Sequence, residues 1–151
     1  MRSAGTHLEF DIALAKEQSD KNPVYYLQYA HARIASILRH AVEEGFPVTD
    51  LSAMIKATDF SLINSKEEID LIKKLLEFPD MVAGCALSFE PHRLTTYLRE
   101  VAETFHRFYH EHRVINDDKS LMQSRLAVCV MTKTVIANGC KILGVSSPEK
   151  M

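Results

Sequence analysis

The chain has 151 residues, of which 46% are hydrophobic and 25% are charged, and its net charge is −2. This balance is typical of one folded globular domain, and it excludes a largely disordered chain or a second full domain. The net charge also argues against a protein that coats nucleic acid through bulk electrostatics. Because no apolar run reaches the roughly 20 residues of a membrane span and no signal peptide is evident, we expect a cytoplasmic protein without a membrane partner.

The charge is unevenly distributed along the chain. Residues 43–70 carry seven acidic and two basic side chains, whereas residues 119–151 carry five basic side chains and one acidic side chain. Opposite charges attract, so an anionic partner is expected to prefer the C-terminal third.

The first long helix is predicted to begin at Asn22-Pro23 and to stop at Gly45. Asparagine can cap the free amides of a first turn, proline fits the first helical position, and glycine favours the backbone that ends a helix. Apolar residues recur between these signals at the helical period of about 100° per residue, which predicts one buried face.

Four further helices are predicted in the rest of the chain. A capping box at Ser65 and Glu68 starts the second, and two prolines punctuate candidates over roughly 80–88 and 92–112. The last pattern runs from Leu121 to Leu143 and ends at Gly144, while residues 46–62 receive no assignment. Strand alternation and internal repeats are not evident, so the predicted fold class is all-α, a bundle of about five helices with short connections.

The common catalytic motifs are missing from the sequence. It has no glycine-rich phosphate loop, no Gly-x-Ser-x-Gly and no His-Glu-x-x-His. The three cysteines lack a Cys-x-x-Cys pair and are expected to be small buried residues. His106, His110 and His112 resemble a metal-ligand cluster, but histidines near a helix C-terminus favour its negative dipole end while staying solvated. We therefore predict neither a metal site nor catalysis by this chain alone.

The first long helix also carries a polar and aromatic strip. With Tyr26 placed at 0° around the helix axis, Tyr29, Arg33 and His40 fall between about 300° and 340°, beside the predicted buried face. Aromatic rings stack on unpaired bases, and a guanidinium group binds phosphate or a base edge. This strip therefore suits single-stranded RNA, although tyrosines beside a core often only pack with the hydroxyl exposed to water.

Several stretches are similar to one known family. Residues 22–34, NPVYYLQYAHARI, resemble the signature that opens the anticodon-binding (DALR) domain of arginyl-tRNA synthetases. Residues 98–110 and 124–128, LREVAETFHRFYH and SRLAV, are similar to its later helices. The final ANGCKILGV at 137–145 and PEKM at 148–151 match its usual ending.

This resemblance implies a domain layout and a function. Residues 1–21 would be a linker from an upstream catalytic domain, and residues 22–151 would be the anticodon-binding helical domain. The partners would be the anticodon stem-loop of an arginine tRNA and the parent's catalytic domain. That parent, a class I ligase, would use ATP and Mg²⁺, whereas this chain would need no cofactor.

The resemblance also implies the site residues. The family positions occupied here by Tyr26, Tyr29, Arg33 and the terminal Met151 approach the anticodon loop. His40, from the strip, and Arg113, near the end of the fourth helix, are possible additional RNA contacts. Every arginine anticodon has C in the middle, and this base is the expected specificity target.

Two other functions compete with this interpretation. A helical protein–protein interaction or intramolecular docking module, without independent RNA binding, predicts an exposed apolar patch. A free-standing enzyme predicts turnover without any added domain.

Overall fold

A computed structural model describes residues 11–19, 21–46 and 51–151. Within these ranges the chain contains seven α-helices, one 3-10 turn at Phe60–Leu62 and no strand, which confirms the all-α class. The helices are α1 Ile12–Lys16, α2 Pro23–Glu43, α3 Leu51–Ala57, α4 Lys66–Leu76, α5 Phe78–Ser88, α6 His92–Glu111 and α7 Lys119–Ile142.

Helix α2 has the predicted start and stop. The Asn22 side chain accepts hydrogen bonds from the amides of Val24 and Tyr25 at 3.1 and 3.4 Å. Two residues beyond the helix, Gly45 adopts a φ of 81°, in the left-handed region that favours glycine. Asn22 also donates to the carbonyls of Ala15 and Glu17, which ties the segment containing α1 to the start of α2.

The four later predicted helices are also present, with boundaries shifted by a few residues. The capping box at the start of α4 is formed in both directions between Ser65 and Glu68. Helix α5 begins at Phe78, before its proline, because proline is tolerated in a first turn. The Asp118 side chain caps α7 by accepting from two amides, so that helix begins at Lys119 rather than Leu121.

Two short helices and the 3-10 turn were not predicted. Helix α3 and the 3-10 turn occupy residues 51–57 and 60–62, inside the unassigned stretch, and α1 lies inside the expected linker. Each is too short to show a clear apolar period in the sequence. Residues 47–50 of the unassigned stretch lie outside the described residues.

Helix α6 is the centre of the bundle, packed against α2, α4, α5 and α7. It runs parallel to α2, because Tyr26 lies beside His106 and Arg33 beside Tyr109. It runs antiparallel to α7, because Gly139 lies beside Leu98 and Arg125 lies beside His112. This arrangement buries the apolar faces and leaves one side of the α2–α6 contact open to solvent. The largest fully buried side chains include Tyr97, Phe105, Phe108, Ile34, Leu94, Leu98, Met122 and Leu126.

The last residues run along α2 in the direction of that helix. Gln28 Nε2 donates to the Ser146 carbonyl at 3.1 Å, and Arg39 Nη1 donates to the Glu149 carbonyl at 3.0 Å. The Glu149 carboxylate also pairs with Lys133 on α7 at 2.7 Å. The tail is therefore held against the bundle by contacts with α2 and α7.

Candidate nucleic-acid interface

Aromatic side chains line one end of the exposed α2–α6 contact. The ring centroids of Tyr26 and Tyr29 lie 5.2 and 5.9 Å from that of His106 on α6. Together with Tyr25 these residues line an open cavity of about 350 Å³. Tyr29 is 43% exposed, so much of its ring is available to a ligand. The cavity therefore offers aromatic faces on which an unpaired base can stack.

Basic side chains line a second cavity farther along the two helices. It has a volume of about 470 Å³, and its walls include Arg33, His40, Tyr109 and Arg113. Arg33 Nη2 donates to the Tyr109 hydroxyl at 3.0 Å, which holds the guanidinium against α6. The sequence placed His40 in the first long helix and Arg113 near the end of the fourth, and the fold brings both to the cavity of Arg33.

A third cavity, of about 440 Å³, has wall residues in common with the other two. It shares Tyr26 and His106 with the aromatic cavity and His110 with the basic one, and it also contains Arg107 and Glu103. We call the three adjoining cavities the α2–α6 groove. Because aromatic faces lie at one end of the groove and guanidinium groups at the other, it has chemistry for both bases and phosphates of a single strand.

His106 is a groove residue that the site prediction missed. It was expected to be solvated, and that expectation is wrong, because its Nε2 is buried and has no hydrogen-bond partner among the described residues. Burial, followed by the positive charge of Arg33, lowers the pKa of His106 below its usual 6.5. The ring is therefore neutral at neutral pH. The helical period could not have found it, because His106 meets Tyr26 only through the packing of α6 against α2.

His112 was also expected to be solvated, and the structure contradicts this as well. Its Nε2 lies 2.9 Å from Ser65 Oγ, and its Nδ1 lies 3.3 Å from Arg125 Nη2. It therefore joins α6 to α4 and α7, which is a structural role. Only His110 of the three is exposed, with 84% of its side chain accessible. Among the residues that the structure describes, no group of three or more His, Cys, Asp or Glu side chains could hold a metal ion.

Part of the basic excess in the C-terminal third is neutralised by ion pairs. Arg125 Nε donates to the buried Glu68 carboxylate at 2.8 Å, and Lys133 pairs with Glu149. The cations of the groove come instead from α2, α6 and the segment after α6. The preference of an anion for residues 119–151 is thus reduced, since two of the five basic side chains there already have a carboxylate partner.

Met151 lies at the end of the tail and is 56% exposed. The tail follows the flank of α2 that carries Gln28 and Arg39, about 80–100° around the helix from Tyr29. The fold therefore brings five of the six predicted site residues to one groove and holds Met151 on a neighbouring flank. Those five are Tyr26, Tyr29, Arg33, His40 and Arg113.

Two of the three cysteines are buried as expected. Burial raises the pKa of the Cys129 thiol to about 12, and it also raises the pKa of Cys140. Cys85 is only partly buried and lies 4.0 Å from the sulfur of Met81. None of the helices searched in the described ranges is long and apolar enough to cross a membrane.

The family model and the sequence relatives of this chain agree with each other. The family model of the DALR anticodon binding domain matches residues 27–151. The chain is 47% identical to an arginine–tRNA ligase of Listeria monocytogenes over 152 aligned positions, which cover 100% of this chain and 26% of the relative. It therefore spans about a quarter of the length of that curated relative.

Solved structures show the same fold. A crystal structure assigned to an arginyl-tRNA synthetase of Campylobacter jejuni superposes with a TM-score of 0.83 at 25% identity, covering 99% of this chain and 31% of that one. The Thermus thermophilus arginyl-tRNA synthetase superposes with a TM-score of 0.69 at 30% identity, covering 83% of this chain and 21% of that one. The chain belongs to the DALR anticodon-binding domain family.

Proposed function

We propose that this chain binds the anticodon loop of an arginine tRNA through the α2–α6 groove, as the C-terminal domain of an arginine–tRNA ligase. The observation that carries the proposal is the meeting of Tyr26, Tyr29 and Arg33 with α6 side chains in one open groove. The length covered in the Listeria relative supports a longer parent, in which residues 1–21 link to a catalytic domain. ATP and Mg²⁺ would be used by that domain, in the cytoplasm, and this chain alone would catalyse nothing.

The groove suits a single strand better than a duplex. Tyr26 and Tyr29 offer ring faces to splayed bases, and such stacking contributes about 1–3 kcal/mol per base. Arg33, with His40 and Arg113 in the same cavity, is placed to contact the loop backbone. Because these contacts are few, the affinity should fall only modestly as salt rises.

Met151 would complete the site from the tail. Its thioether lies two residues beyond Glu149, which Arg39 and Lys133 anchor. A loop that covers the C-terminal half of α2 would reach both flanks of the helix. We therefore propose that Met151 contacts the loop from the flank of α2 that carries the tail, while the groove residues contact it from the other flank.

The competing docking module would use exposed apolar side chains outside the groove. Leu76, Leu87 and Phe89 are 72%, 84% and 91% exposed, and none of them lines the groove. Exposed apolar side chains of this kind are typical of contacts with another protein surface. Replacement of Phe89 therefore separates the docking function from RNA binding.

Tyr29→Ala tests the proposal directly. We expect this variant to bind an arginine anticodon stem-loop about tenfold or more weakly than the parent chain, because one stacking surface is lost. Phe89→Ala is the matched control, since it removes an exposed ring outside the groove. Filter binding or fluorescence anisotropy measures both. Equal affinity of Tyr29→Ala and the parent chain would show that Tyr29 does not contribute to RNA binding.

A further inference from the structure

His106 occupies an unusual position beneath the tyrosines of the groove. Its Nε2 is buried, and no described residue forms a hydrogen bond with it. Buried polar atoms in folded proteins nearly always have a partner, because an unpaired one loses its bonds to water without replacement. A phenylalanine would fill the same space without this cost. The packing of the bundle therefore does not account for a histidine here.

The surroundings of His106 indicate which ligand could supply the missing bond. The ring is flanked by Tyr26 and Tyr29 and borders both the 350 Å³ and the 440 Å³ cavities of the groove. The aromatic cavity is at the small end of ligand sites, so it suits one base rather than a base pair. Because Nε2 is inaccessible in the free chain, a base would reach it by displacing the exposed Tyr29 ring as it stacks between the tyrosines.

We propose that His106 is a specificity-determining residue that forms a hydrogen bond through Nε2 with the Watson–Crick edge of the unpaired base held by Tyr26 and Tyr29. This inference rests on the proposed function and adds the discriminating group to it. Stacking is tolerant of sequence because every base has a ring face, whereas an edge contact depends on the donors and acceptors of one base. The tyrosines would thus provide affinity, and His106 would provide selectivity.

The charge state of the ring suits this role. Burial and the nearby Arg33 guanidinium keep the imidazole neutral, so one ring nitrogen donates and the other accepts. A neutral imidazole can form a hydrogen bond with a base edge, but it carries no positive charge to attract a phosphate. Arg33 and Arg113, at the other end of the groove, remain the groups that contact phosphate.

His106→Phe separates the two roles because it keeps an aromatic ring and removes both nitrogens. The test uses four arginine anticodon stem-loops that differ only in the middle base. We expect affinity for the C form to fall on the order of tenfold, as for one lost hydrogen bond. Affinity for the other three forms should fall by a smaller factor, because their donors and acceptors lie at other positions along the edge. His92→Phe, at the far end of α6, is the matched control and should keep the parent's selectivity.

The outcomes distinguish failure of this inference from failure of the proposed function. If the parent chain prefers the C form and His106→Phe keeps the same ratio, the inference is overturned while anticodon binding stands. If the parent binds all four forms equally, selectivity does not reside in His106 and the inference is likewise overturned. If the parent binds none of them, the proposed function fails together with the inference.

A second measurement needs no variant and therefore does not depend on the folding of one. The side-chain ¹⁵N resonance of His106 Nε2 should move when the C-form stem-loop saturates the parent chain, because a new hydrogen bond changes the shielding of that nitrogen. The form with G in the middle should move it less at equal occupancy. An Nε2 resonance that is unchanged by a saturating C form overturns the inference.

Discussion

Arg33 on α2 and Tyr109 on α6 form a bridge across the groove. The Arg33 Nη2 atom donates to the Tyr109 hydroxyl at 3.0 Å, and its guanidinium carbon lies 5.0 Å from the centre of the same ring. Arginine side chains lose much rotamer freedom when they bind a ligand. Because this bridge already restrains Arg33, RNA binding would order fewer of its torsions.

Arg33→Ala should therefore weaken binding of the anticodon stem-loop by about tenfold. The slope of log affinity against log salt should become shallower by about 1, as expected for the loss of one phosphate contact. The side chain is exposed, so the stability of the fold should change little. Arg99→Ala is the control, because Arg99 is an exposed arginine of α6 that pairs with Glu103 and does not line the groove. A salt titration of binding measures both variants. An unchanged slope in Arg33→Ala would contradict a phosphate contact.

The ion pair between Glu68 and Arg125 is predicted to stabilise the fold. Glu68 has only 1% of its side chain exposed, and it receives the Arg125 Nε at 2.8 Å. Arg125→Met leaves a buried carboxylate without its counter-charge and should lower the free energy of unfolding by about 3 kcal/mol. Urea denaturation measures the change. Lys66→Met breaks the exposed pair with Asp70 and should leave the denaturation midpoint close to that of the parent. Similar losses in both variants would contradict the prediction.

Stability should fall as the solution becomes acidic, in two steps. Burial and Arg33 lower the pKa of His106 in the folded state, so below its usual 6.5 the unfolded chain binds more protons and is favoured. Burial alone would raise the pKa of Glu68, but the bonds from Arg125 and Ser65 outweigh it and lower this pKa below 4.5. The second step should therefore occur below about pH 4.5.

Urea midpoints at pH 7.5, 5.5 and 4.0 test this pH dependence. The parent midpoint should fall between pH 7.5 and 5.5, and His106→Phe should show a smaller fall over that interval because it has no imidazole to protonate. Both proteins should lose stability again towards pH 4.0, since both retain Glu68. A parent midpoint that rises on acidification to pH 5.5 would contradict the predicted direction of the pH dependence. An identical fall in the two proteins would contradict its assignment to His106.

Two glycines, one in close contact with another helix and one not, allow a matched test of the packing of the bundle. A Cβ atom on Gly139 would lie 2.5 Å from Cδ2 of Leu98, which is fully buried and has little room to move. Gly139→Ala should therefore destabilise the chain by about 1–3 kcal/mol. Gly84 has only Arg93 within 4 Å, at 3.9 Å, so Gly84→Ala should gain about 0.5–1 kcal/mol from helix propensity. Thermal melts of both variants measure this difference, and equal melting temperatures would count against the α6–α7 packing.

The sequence predicted the long helices because their ends carry strong local signals. Asn22 and the capping box at Ser65 cap helices as expected, and Asp118 caps α7. The short helices α1 and α3 do not combine a capping signal with an apolar period, so the sequence did not predict them. Their positions depend on contacts with distant parts of the chain, such as those of α3 with α7.

The groove was only partly predictable. Helical geometry alone grouped Tyr26, Tyr29, Arg33 and His40, because all four belong to one helix. Contacts between helices were not accessible in this way, and His106 was judged by its nearness to a helix end rather than by its partners on α2. His112 was misjudged for the same reason, since Ser65 and Arg125 belong to other helices.

Binding of the parent chain to an arginine anticodon stem-loop, compared at low salt with the same loop carrying G in place of the middle C, is the most direct test of anticodon recognition. We predict tighter binding to the C form, with the difference lost in His106→Phe. Absence of binding to either loop would contradict the proposed function and favour a docking role for the exposed apolar side chains around Leu87 and Phe89.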